Sequence, residues 1–117
     1  MATQRSLPAG AVIRVSRGDF DPERFKDVEQ MTRDTGQYLM PAIKRLDGLI
    51  AYYAGASPEG SMVHVSIWES DEHAAQMGAL KEMIVDARED AVKAGVSFGP
   101  IVNHPVAWNL ETVRNPG

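Results

Sequence analysis

The sequence predicts an α+β domain in the order strand, helix, strand, strand, helix, strand. Three observations carry that reading. Short β-branched runs lie near residues 11–17, 49–54 and 62–69, two longer stretches space their apolar residues three or four apart, and turn or cap residues stand at the junctions. This order gives the ferredoxin-like βαββαβ arrangement, a four-stranded antiparallel sheet with two helices on one face.

Residues 1–10 hold Ser6, Pro8 and Gly10 with little apolar patterning, so a flexible arm is expected before a single domain at 11–113, with a tail at 114–117. Ala11, Val12, Ile13 and Val15 form a β-favouring run that stops at Gly18 and Asp19, the first strand. Asp21, Pro22 and Glu23 mark a helix start: a side chain that accepts a first-turn amide, a ring suited to the first position, and a charge that complements the dipole. Phe25, Val28, Met31, Thr35, Leu39 and Leu46 trace one stripe along residues 22–46, within which Gly36 and Pro41 are expected to bend the helix. Asp47 and Gly48 end it. The second strand covers residues 49–54, Ser57-Pro58-Glu59-Gly60 turns the chain, and the third strand covers residues 62–69. Ser70, Asp71 and Glu72 cap a second helix carrying Met77, Leu80, Ile84, Ala87 and Ala91, which Gly78 is expected to divide. Lys93-Ala94-Gly95 stops this helix, Val96 to Asn103 connects, and the fourth strand is expected at residues 106–110.

A chain of 117 residues that is 44% hydrophobic supports one core. The net charge of -4 argues against nucleic acid as a partner. The absence of cysteine rules out disulfides and thiolate ligands, and three scattered histidines form no zinc spacing, so no metal is expected. No apolar run approaches the roughly 20 residues that span a bilayer. The first residues lead into no apolar signal region, so a cytoplasmic protein with no membrane partner is expected.

Strand alternation puts Val63, Val65 and Ile67 on one face of the third strand and His64, Ser66 and Trp68 on the other. The first set is expected under the helices. The second face, with Trp68 and Trp108, then carries too much apolar area to leave in water, and pairing with a second copy covers it.

Ile67-Trp68-Glu69-Ser70 before a helix, and Asn103-His104-Pro105-Val106-Ala107-Trp108, resemble the antibiotic biosynthesis monooxygenase-type family of dimeric α/β barrels, with matching element order over residues 11–111. The resemblance implies a homodimer. In the quinone-forming members, an Asn is followed four residues later by Trp and about twenty further on by Arg. The Asn and Arg polarise a phenol that itself activates oxygen, with no cofactor. His64, Trp68 and Arg88 stand at those places, His replaces Asn, and Ala74 stands where the family has Tyr. The haem-degrading members resemble one another in a Trp and a His ten residues later; Met77 and Ala87 occupy those positions, so haem is not expected.

His64 and Trp68 share a face roughly 13 Å apart at about 3.3 Å per residue, a span suited to a polycyclic aromatic ligand. His64 is the candidate base, Arg88 the candidate catalytic cation, and Trp68 a stacking wall. Arg14 sits among β-branched neighbours, where an unpaired charge calls for a partner or a ligand's anion. Tyr52 and Tyr53 point to opposite faces, so at most one reaches a common pocket; alternation alone does not say which, and Tyr52 is carried as the candidate. His73 and His104 are not expected to be catalytic. Two other functions remain open beside the oxygenase: a non-catalytic small-ligand or stress-related dimer, and a cofactor-free isomerase or lyase.

Overall fold

The computed structural model describes residues 4–112. Residues 1–3 of the expected arm, Val113 and the tail at 114–117 lie outside the described residues. Strand β1, Gln4–Arg5, pairs antiparallel with β7, Glu111–Thr112, so part of the expected arm is joined to the far end of the domain.

The main sheet is antiparallel in the order β3-β4-β2, with β5 and β6 sharing the far side of β2. These strands are β2 (Val12–Asp19), β3 (Leu49–Ser57), β4 (Ser61–Trp68), β5 (Ser97–Phe98) and β6 (Val102–Pro105). Asp21 caps a 3-10 turn, Pro22–Arg24, by accepting from the Glu23 amide at 3.0 Å, and the turn runs directly into α1, Phe25–Lys44. Pro41 lies within α1, which is continuous through it.

The second helical region is divided as expected, one residue past the Gly78 segment. Ser70 caps α2 (Asp71–Ala75), a 3-10 turn follows at Gln76–Ala79, Leu80 is extended, and a π-helical turn (Glu82–Ala87) leads into α3, Arg88–Lys93. Gly95, at φ 95°, reverses the chain after α3. Among the described residues no helix is long and apolar enough to cross a membrane.

Helices cover one face of the sheet. Val12 and Trp68 from the strands pack with Leu39 and Ile43 of α1 and with Met77 and Ala87 of the second helical region. A second cluster joins Phe20, Val28, Met62, Ala91 and Val96.

Two expectations are corrected here. On β4 the helix-covered residues are Met62, His64, Ser66 and Trp68, while Val63, Val65 and Ile67 occupy the open face, the reverse of the pattern read from the sequence. Trp68 is 0% exposed and belongs to the helix-side core. Trp108 is 80% exposed and outside any strand, so it does not complete the sheet. The fourth strand also falls earlier than residues 106–110: the ladder on β2 runs through Ser97–Phe98 and Val102–Pro105, bridged by the Gly99 amide donating to the Arg17 carbonyl at 3.0 Å.

Candidate functional site

A cavity of about 100 Å³, opening to solvent, lies between the helix-covered face and the helices. Its floor is a polar patch on three adjacent strands: Arg14 and Ser16 on β2, His64 and Ser66 on β4, Tyr52 on β3. Register sets this patch. Arg14 stands opposite Ser66, Ser16 opposite His64, and Tyr52 opposite Ser66 from the other side, so all share one parity. Met31 and Thr35 of α1 form one wall, and Met77, Met83 and Arg88 contribute from the second helical region.

The Tyr52 hydroxyl lies 2.6 Å from His64 Nδ1, and the two rings meet edge to face at 84°. Burial drives the electrostatics of both. It pushes His64 down to about 4, so the imidazole is neutral at pH 7. It raises Tyr52 above the ordinary phenol value, against the opposing pull of the Arg14 charge. Two neutral groups this close share one proton, and the hydroxyl donates to Nδ1 when the imidazole carries its proton on Nε2.

Arg14 is half-buried, and desolvation lowers its pKa, countered by Tyr52. Among the described residues it has no carboxylate and no hydrogen-bond partner. Arg88, exposed at the cavity margin, lies 5.9 Å from the Phe98 ring centroid. Among the described residues the lining contains these two cations and no carboxylate.

The structure thus brings Arg14, Tyr52, His64 and Arg88 to one cavity. Trp68 is not brought there: its indole is buried in the helix-side core beside the cavity, and Nε1 donates to Ser66 Oγ at 2.8 Å. Trp68 is absent from the cavity lining, and its side chain contacts Ser66. Sequence reasoning missed Ser16, Ser66, Thr35 and the methionines. Four of the six, Met31, Met62, Met77 and Met83, line this cavity, a soft apolar surface suited to a planar ring. A second cavity between α1 and β3 shares Tyr52 and His64 with the first, so the pair stands between the two. Among the described residues no three His, Asp or Glu side chains converge to hold a metal ion.

No family model and no curated protein matches the chain. Solved structures do. A Deinococcus radiodurans protein assigned to the antibiotic biosynthesis monooxygenases superposes with a TM-score of 0.62 at 16% identity, over 91% of this chain and 99% of its own. SnoaB, a cofactor-independent oxygenase from Streptomyces nogalater, gives 0.57 at 14% identity over 86% of this chain and 97% of its own. A Chloroflexus aurantiacus protein assigned like the first gives 0.55 at 12% identity over 86% and 97%. These identities speak to architecture alone: the chain shares the ferredoxin-like α+β fold of these proteins.

Proposed function

We propose that this protein binds a small aromatic phenol in the sheet–helix cavity and oxidises it with dioxygen, without a cofactor, as a homodimer in the cytoplasm. The observation that carries this is the Tyr52–His64 pair, 2.6 Å apart on the floor of a cavity whose charged side chains, among the described residues, are Arg14 and Arg88. The likeness to SnoaB, itself described as a cofactor-independent oxygenase, supports it.

The chemistry needs the ring to become electron-rich. The phenolic proton passes to the Tyr52–His64 pair, and the field of the two guanidinium groups stabilises the phenolate. The phenolate reduces O₂, the oxygen adds at a ring carbon bearing hydrogen as a hydroperoxide, and loss of water leaves the quinone. Phenol plus O₂ gives quinone plus water, with all four electrons supplied by the substrate.

His64 near 4 is a weak base, so proton transfer depends on the cations. The same observation favours a second reading, a ligand-binding dimer without turnover. Oxygen uptake with a panel of phenols separates the two. Turnover should consume O₂ and release quinone one to one, and His64→Ala should lower kcat by about 10²-fold with dimerisation intact. Full activity in that variant removes His64 from the mechanism. Phenols that bind and raise Tm with no oxygen uptake establish the non-catalytic reading.

A further inference from the structure

We propose that the ligand of this cavity carries a permanent carboxylate, with Arg14 as its counter-ion; the natural ligand is then a hydroxyaryl carboxylic acid rather than a neutral phenol. This rests on the cavity being an aromatic ligand site and is independent of oxygen chemistry.

Charge balance supplies the first argument. Among the described residues two arginines and no acid line the cavity, and burial keeps His64 and Tyr52 neutral, so the lining carries an uncompensated positive charge. A phenolate balances one guanidinium, and only while it is ionised. The second needs an anion present at neutral pH throughout. Position supplies the next argument. Arg88 is exposed and rests against Phe98, whereas Arg14 is half-buried on the sheet with no partner among the described residues, the place where an unpaired charge is least well solvated.

The neighbours of Arg14 fit a group that only accepts hydrogen bonds. Ser66, directly across on β4, already accepts from Trp68 Nε1, which leaves its hydroxyl proton to donate. Ser16, two residues along β2, offers a second hydroxyl on the same face. One guanidinium and two hydroxyls make a donor set matched to a carboxylate. Tyr52 lies two strands away from Arg14, roughly 10 Å at about 4.8 Å per strand, so a bicyclic ring spans from the carboxylate to the Tyr52–His64 pair.

Calorimetric titration of the full chain with 6-hydroxy-2-naphthoic acid, its methyl ester and 2-naphthol tests this. The acid is expected to bind at least 30-fold more tightly than the ester. Arg14→Met should bring the acid within about threefold of the ester, and Arg14→Lys should restore part of the preference. The wild-type comparison needs no variant, so a misfolded Arg14→Met leaves the test standing. Equal binding of acid and ester, or an acid preference that survives in Arg14→Met, overturns the carboxylate site while leaving the aromatic cavity intact. Binding of none of the three overturns both.

Discussion

His64 is the residue whose chemistry departs most from its free form, and the departure has a stability consequence. Its folded-state pKa is lowered to about 4 by burial, against about 6.5 in an unfolded chain. Between those values the unfolded state binds a proton that the folded state does not. The contribution is therefore fully present above pH 6.5 and lost as pH falls through 4, amounting to at most roughly 3 kcal/mol. Urea denaturation of wild type and His64→Gln at pH 7, 5.5 and 4 measures it. Wild type should lose stability relative to the variant on acidification, and parallel pH profiles would show that the imidazole is freely hydrated. Part of this site was legible in the sequence. Arg14 was reached from residue type and its strand neighbours, His64 and Arg88 from the motif spacing of the family the sequence resembles, and the choice between Tyr52 and Tyr53 was left open although a count from the turn settles it. The turn at Ser57–Gly60 pairs Ser57 with Ser61, and counting back from it sets Tyr52 opposite Ser66, hence on the face of His64, and Tyr53 on the other. Ser66 and the four methionines carried no signal, because a small hydroxyl and flexible apolar side chains become a site only when packing gathers them.

At the scale of the element, β4 shows why alternation alone misassigned the faces. Its β-branched residues, Val63, Val65 and Ile67, look like a core face, while His64 and Ser66 look like a solvent face. The structure inverts this because the helix-covered side must hold polar groups for the cavity, a local violation of the usual pattern of the kind expected at binding sites. The fourth strand was misplaced for a related reason: Trp108 and its neighbours favour strand, but Gly99 keeps the chain on β2 and Val102–Pro105 complete the ladder first. The helix boundaries were legible, because Asp21, Ser70 and Gly95 act through local bonds and dihedral angles. The junction after α1 gives a test. Gly48 sits at φ 78°, and a Cβ there would run into the His73 ring, which Ser70 Oγ holds at 2.7 Å from Nδ1. Gly48→Ala combines a left-handed backbone with an overlap and should lower stability by about 2–4 kcal/mol. Gly78→Ala, where a Cβ meets nothing within 4 Å, should change it by less than about 0.5 kcal/mol. Chemical denaturation of both variants reads the contrast, and equal effects would show that His73 yields freely.

At the scale of the whole molecule, one face of the sheet has no helix over it. Ile13 and Val15 of β2 and Val63, Val65 and Ile67 of β4 lie there, joined by Tyr53 at 62% exposure and Val102 at 43%. A continuous β-branched surface of this kind is poorly suited to water, and a second sheet packed about 10 Å away is the geometry that covers it. We therefore propose self-pairing through this face, with Val65, flanked by Val15 and Tyr53, at its centre in place of Trp68. Light scattering should give twice the chain mass for wild type and the chain mass for Val65→Lys. Because Val65 points away from both buried clusters, the variant should keep its fold by circular dichroism. The cavity is built by one chain's own sheet and helices, so monomeric Val65→Lys should also bind 2-naphthol with an affinity within about threefold of wild type. A wild-type monomer would mean that this face has another partner. A monomeric variant that has lost its ligand would mean instead that the second copy shapes the cavity across the sheet.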